Sequence, residues 1–424
     1  MALAMHSDSD RKPSASSGIG DTAVALGRWS AVGTLLVAPI NKPATSILVG
    51  LCLFFSIVGT DATERWRWAS RQSVVRGFLA WGAVLIASSL RASDPLAWAN
   101  SFTLVCSYPL IVASVLQDTR WARRALMAFG LAMLFTTLVS YGMECGLVPQ
   151  RSIVSIAPNM RNTVFKEYTQ QGLATLILGC MALSASVTTP SRRQRWLLWM
   201  VGLLAAINVA IVLGSRTAHI ALIPLVAYWA WRLSAQHRLV VRSSLIAASL
   251  VLLMSLALLS PVVQQRVVSS LPDEATPYIQ SESPTAAGIR MQLWRRTIEL
   301  VAEAPVLGHG LDQWRPAYRR LMNSHGDDAA FLAGHPHQEM LLILAEQGGA
   351  GLVIYLALLL ALVKRIRNLE PPWRDFYLCV AGIYISAGLA NCLWGDFTHR
   401  HTFVLLAACL PAAMQARPRT RGLA

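Results

Sequence analysis

Apolar residues run in long blocks along almost the whole chain, separated by short polar stretches. The blocks lie near 22–39, 44–60, 74–90, 96–116, 122–143, 169–188, 196–213, 218–231, 243–262, 338–363, 375–393 and 402–416. Most reach the ~18–20 residues needed to cross a hydrocarbon core ~30 Å thick, although the second, third and eighth are short or weakly bounded. Buried core helices of a soluble protein would need polar faces elsewhere, and few segments offer one. The pattern therefore predicts an all-α, polytopic membrane protein of about 12 transmembrane helices. It divides into transmembrane helices 1–9 over 21–262, a large and partly helical loop over 263–337, and transmembrane helices 10–12 over 338–416. Residues 1–20 are polar, Ser-rich and without an apolar core of their own, so they are expected to be a disordered tail rather than a cleaved signal peptide; 417–424 form a second short tail.

Composition supports the membrane reading: 54% of residues are hydrophobic and 14% charged, where soluble domains carry about a quarter charged. The net charge of +15 would suit nucleic acid, but the basic residues fall in short clusters between apolar blocks, as topology-setting Lys and Arg do. One set of loops, including both termini, holds 23 of the 37 basic residues. Seven of the remaining 14 lie in the 263–337 loop, which is too long to vote on orientation. Both termini are thus expected on the cytoplasmic side, and the long loop outside it. The seven cysteines are scattered, mostly within apolar blocks, with neither metal-ligand spacing nor a disulfide framework. No internal repeat is visible, so an inverted-repeat transporter signature is missing.

Topology accounts for most basic residues, so the informative ones are those left on the outer side. Arg216 lies in Ser215-Arg216-Thr217-Ala218-His219, a turn joining two apolar blocks directly. It is either a snorkelling arginine at a helix end or a ligand for an anionic group at the membrane boundary, and its fork suits phosphate oxygens. Within the loop, 287–304 reads as a helix in which Arg290, Trp294, Thr297 and Val301 share the more apolar face, while Arg295, Glu299 and Glu303 form a solvated stripe. Arg290 reads either as a structural cap or as a second anion ligand. Gly308-His309-Gly310 reads as a flexible turn before another helix over Asp312–Met322. The densest signal is His335-Pro336-His337-Gln338-Glu339 at the entrance of the tenth span. Pro336 is expected to start the helix, putting His337 in its first turn, where a neutral imidazole could accept a proton. Gly348, Gly349 and Gly351 further along would permit close helix packing. Metal binding by His309, His325, His335 and His337 is the competing reading, but their spacing matches no standard zinc motif, and no Asp-x-Asp lies on the outer side.

In the order, spacing and membrane side of three signatures, SRTAH at 215–219, GIRMQLWRRTIELVAEAPVLGHGLDQW at 288–314 and HPHQEMLLILAEQGGAGL at 335–352, the chain resembles the O-antigen ligase and polymerase superfamily, and most of all the O-antigen ligases of lipopolysaccharide. Gln338 stands where that family usually has Asn. The resemblance implies a metal- and cofactor-independent, inverting glycosyltransferase of GT-C type in the inner membrane of a Gram-negative bacterium, its active site facing the periplasm. The donor would be O-antigen on undecaprenyl diphosphate and the acceptor a lipid A–core sugar. It puts His337 in the general-base position and Arg216 and Arg290 in the diphosphate-binding positions, with Arg161 and Lys166 as supporting anion ligands. An O-antigen polymerase, a ligase with a protein acceptor and, in another class, a transporter of the same lipid-linked glycan are the rival readings.

Overall fold

The computed structural model describes residues 15–93, 101–155, 160–259 and 285–415, with positions 96, 264 and 276. Most of the stretch 263–284, and both expected tails beyond Ala15 and Gln415, lie outside the described residues. The secondary structure described is helical, without strands. The helices are α1 (Ala15–Val37), α2 (Lys42–Val58), α3 (Ala62–Arg71), α4 (Ser73–Ser89), α5 (Ser101–Leu104), α6 (Tyr108–Val115), α7 (Thr119–Glu144), α8 (Tyr168–Thr188), α9 (Arg192–Ile207), α10 (Arg216–Leu233) and α11 (Leu239–Leu259). They continue with α12 (Ala286–Glu303), α13 (Trp314–His325), α14 (Glu339–Arg367), α15 (Trp373–Gly388), α16 (Phe397–Ala408) and α17 (Leu410–Met414). The first helix begins inside the stretch expected to be tail.

A helix or an interrupted helix occupies each predicted apolar block, but fewer than twelve are long enough to cross a bilayer alone. Among the described residues, α7, α8, α9 with its following π turn, and α14 meet both length and composition. The pair α2–α3, bent by 118°, makes a fifth if it is one span. The difference lies in breaks that an apolar pattern does not reveal. The block at 96–116 is split by a 3₁₀ turn at Val105–Ser107, and the last block is split at Cys409, before Pro411. Helix starts are set by local capping: Asn41, Asp118, Ser191, Ser215, Thr285, Gln338 and Asp396 each accept a backbone N–H of the turn they open.

The membrane helices pack pairwise, α1 on α2 and α7, α8 on α9 and α15, α10 on α15, and α14 on α4 and α15. Small residues bring α8 and α9 close, since a Cβ on Gly179 would lie 3.1 Å from that of Ala205. The loop helices α12 and α13 form a second core, in which Leu293, Leu300, Trp314, Tyr318, Met322 and Phe331 pack with Leu342 and Ala345 of α14. Trp314 stacks on Tyr318 at 4.7 Å and donates from its indole to Thr297 at 3.0 Å. Buried Arg296 adds two 2.8 Å bonds to Asp327 and one of 2.9 Å to Glu299. Those carboxylates raise the Arg296 pKa, and the guanidinium in turn lowers that of Asp327.

The glycines at 308 and 348 do something other than the sequence reading expects. Helix α14 breaks at Gly348, whose φ of 66° and ψ of −170° leave two carbonyls and two N–H groups without helical partners. The turn after α12 inserts there. His309 and Gly310 donate to Ala345 O and Glu346 O at 2.8 Å, while Gly349 and Ala350 donate to Pro305 O and Val306 O at 2.8 and 3.1 Å. Gly308 also has positive φ, and a Cβ there would come within 2.3 Å of the Glu346 carbonyl carbon. Gly308-His309-Gly310 is therefore a rigid plug in a broken helix rather than a flexible turn, and Gly348 is the break rather than a packing face. Non-helical backbone at the edge of a membrane requires such internal pairing.

Candidate active site

The docked loop carries α12 to the mouth of the bundle, beside the segment His335–Gln338. Trp294 of α12 donates from its indole to Pro336 O at 2.9 Å, fixing that segment on the helix. His337 lies outside α14, not in its first turn as expected: the helix starts at Glu339, and Gln338 caps it by accepting the N–H of Leu341. This gives the amide at position 338 a physical reason, since its side-chain carbonyl accepts a backbone N–H that the first turn of α14 leaves free. His337 adopts a left-handed φ of 54°, uncommon without glycine. The His335 Nδ1 holds it there by accepting the His337 N–H at 3.2 Å, and the two rings meet edge to face at 4.3 Å.

The electrostatics of the pair follow from its surroundings. Burial, then His335, then the positive charge of Arg290 lower the His337 pKa to about 4, while a hydrogen bond with the Asn391 side chain opposes them. Burial likewise lowers His335, partly countered by the carboxylate of Asp396. Both imidazoles are therefore neutral at ordinary pH, and the buried His337 Nδ1 has no hydrogen-bond partner among the described residues.

Asp396 is the hub linking this loop to the membrane helices. It caps α16 through His399 N at 2.9 Å and accepts from the Gln170 side chain of α8. Burial raises its pKa, but His399, Lys42 and Gln170 together hold it below the ordinary value. Lys166, buried just before α8, has its pKa lowered first by burial and then by Lys42, against the pull of Asp396. Next to Gln170, Thr169 accepts the Ser215 hydroxyl at 3.4 Å, and Ser215 caps the helix that Arg216 begins. Glu339 ties the α15–α16 connection down from the other side, accepting Trp394 N at 2.9 Å.

The sequence-predicted residues thus divide. The charge of Arg290 reaches both His337 and His335, and Lys166 shares the Asp396 neighbourhood with His335. Half-buried Arg216 connects to them through the Ser215–Thr169–Gln170–Asp396 chain of contacts. Arg161 belongs elsewhere: it is exposed and paired with Glu144 at 3.4 Å, beside Asn162, which bonds Glu144 at 2.7 Å and Val212 O at 3.1 Å. Sequence reasoning missed Asn391, Asp396 and Glu339. Only Asp396 left a legible trace, as an N-cap-type residue three positions before His399 and an apolar run. Among the described residues no three His, Cys, Asp or Glu side chains converge as metal ligands. His309 instead bonds Leu300 O at 2.9 Å, and His325 faces Glu299 at 3.4 Å.

Residues 201–356, which include Arg216, Arg290 and His337, match the family described as O-antigen ligase. This stretch of the chain belongs to the O-antigen ligase superfamily. The chain is also 29% identical over 145 residues to a provisionally named polysaccharide ligase of Rickettsia conorii, a match covering 32% of this chain and 34% of that protein. The chain thus spans about a third of the length of the curated relative it matches. The apolar helices, four of them long enough to cross a bilayer among the described residues, are those of a helical membrane protein. Lys166, Asn391 and Asp396 lie outside the matched stretch, so the site draws on both its core and its flanks.

Proposed function

We propose that the chain is an O-antigen ligase, an inverting glycosyltransferase that moves a glycan from undecaprenyl diphosphate to a sugar hydroxyl of lipid A–core. Its placement would be the Gram-negative inner membrane, with both termini cytoplasmic, the 263–337 loop periplasmic, and a GT-C-type bundle of about twelve crossings beneath. The observation that carries this reading is a neutral, half-buried histidine within the field of an arginine where a docked loop meets the bundle, inside the stretch that matches the O-antigen ligase family.

The chemistry is that of a single displacement. The acceptor oxygen attacks the anomeric carbon while His337 takes its proton, and the bond from that carbon to the diphosphate oxygen breaks. Charge grows on the departing diphosphate, and Arg290, Arg216 and Lys166 are the cations that would stabilise it. A base with a pKa near 4 is always in its accepting form but is a weak acceptor. An anionic donor seated against Arg290 would offset the positive charge that lowers the His337 pKa, strengthening the base once substrate is bound. Arg161, already paired with Glu144 and exposed, is a rim residue in this scheme.

The test is reconstitution of purified protein with lipid-linked O-antigen and lipid A–core in the presence of EDTA. Full-length lipopolysaccharide with inverted anomeric configuration is expected, and His337→Ala should abolish it. Full activity of that variant, or retention of configuration, would refute the assigned base; strict need for added divalent metal would refute the arginine account. Product joining two lipid-linked glycans would reassign the acceptor to that of a polymerase.

A further inference from the structure

A groove of about 470 Å³ opens on the opposite end of the bundle, between α7, α8, α9 and the start of α15. Its size is that of a small-molecule site. Its walls are apolar, and Met127 and Leu131 at its edge are 62% and 63% exposed, so it is open to the bilayer. Two polar groups mark the end of the groove nearest the start of α7. Arg123 lies over the Trp373 ring at 5.8 Å, and Ser184, buried on the groove wall, has a hydroxyl without a hydrogen-bond partner among the described residues.

Position along α7 separates this groove from the candidate active site. Arg123 and Glu144 are 21 residues apart on one helix, which is about 30 Å at 1.5 Å per residue and equals the hydrocarbon thickness. Glu144 sits with Arg161 and Asn162 on the outer layer. Arg123 therefore lies at the other interface, and the groove spans residues 123–134 of α7, the half away from the active site. Its occupant belongs to the other leaflet and is not the glycan donor.

The charge at this end selects the occupant. The N-termini of α7, α9 and α15 all point here, each with its positive dipole end. Arg120, Arg123 and Arg124 lie in the first turns of α7, and Arg192, Arg193 and Arg195 in those of α9. Two of the nearby carboxylates are already committed, Asp118 capping α7 and Asp375 bonding Tyr228, Arg232 and Arg374, which leaves exposed Glu370 against six arginines. We propose that the groove binds one anionic phospholipid, its acyl chain along Leu131 and Leu178, its phosphate at Arg123 and an ester oxygen accepting from Ser184. The proposal does not depend on the ligase reading.

The test titrates the detergent-purified full chain with dioleoyl phosphatidylglycerol or dioleoyl phosphatidylcholine, counting lipid adducts by native mass spectrometry and following thermal unfolding. One phosphatidylglycerol is expected to bind about fivefold or more tighter than phosphatidylcholine, the order expected for one arginine at a lipid surface, and to raise the unfolding temperature. Arg123→Ala should lose the preference and Arg123→Lys keep most of it. Ala185→Trp, which fills the groove and leaves every arginine in place, should lose both lipids. Arg365→Ala, a basic residue outside the groove, should leave the preference intact. Equal binding of the two lipids by the wild-type chain would overturn the proposal, whatever the variants do. So would a preference that survives Arg123→Ala or Ala185→Trp, or that falls as far in Arg365→Ala.

Discussion

Two arginines on one helix of the loop have opposite surroundings. Arg296, in the middle of α12, spends its donors on Asp327 and Glu299 and is nearly inaccessible. Arg290, less than two turns earlier, faces the imidazoles of His335 and His337 and pushes both toward neutrality. The first arginine fastens the loop to itself through the residues after α13; the second carries its charge to the histidines at the entrance of α14. Sequence makes them look alike, but their neighbours give one a structural duty and the other a chemical one.

The contrast predicts a division of effects. His337→Ala should lower ligation by at least ~10²–10⁴-fold, the range of general acid–base catalysis, with thermal stability unchanged; measurement of initial rates beside an unfolding curve separates the two. Arg290→Ala should cost ~100-fold or more in kcat, as loss of one preorganised donor does, while folding is kept. Arg296→Ala should do the reverse. It leaves the Asp327 carboxylate without its cation and with only the Gln292 amide bonded to it, so stability should fall by about 3 kcal/mol, yet the folded fraction should retain its kcat. If Arg296→Ala were stable and inactive, the division of labour between the two arginines would be wrong.

The plug in the broken helix supplies a subtler test. Gly348→Ala forces a side chain into a backbone conformation nearly reserved for glycine and places a Cβ 2.2 Å from Val306 O. Destabilisation of at least ~1–3 kcal/mol is expected, with activity falling because α12 and Arg290 lose their anchor. Asn391→Ala should have the smallest effect, about fivefold in rate for one hydrogen bond to the imidazole, with a lower His337 pKa because the bond that opposes its depression is gone.

Much of this arrangement was legible from residue order. Apolar blocks locate the helices because length and hydropathy are local properties, and Arg290 and His337 stand out because topology leaves them unexplained. Three things were not legible. Gly348 lies inside an apolar run that continues on both sides, so the break shows only when the Pro305–Gly310 backbone is seen to fill it. Asn391 and Glu339 gain their roles from the contact of α14 with the α15–α16 connection, which no sequence spacing encodes; for Asp396 the spacing encodes only its capping of α16. The Arg161–Glu144 pair joins residues 17 positions apart across a stretch with no regular spacing, so nothing in the sequence pairs them.

The central claim is that His337 is a neutral base whose proton affinity is lowered by burial, by His335 and by the charge of Arg290, and the pH dependence of kcat/KM tests it most directly. That parameter reports the free enzyme. A base depressed to about 4 is active in its unprotonated form, so the rate should stay level from neutrality down to about pH 4 and fall tenfold per unit below it. Arg290→Gln removes one cause of the depression and should move the fall toward the ordinary histidine value near 6.5, at a lower plateau. A wild-type fall already near pH 6.5, unmoved by Arg290→Gln, would contradict the account.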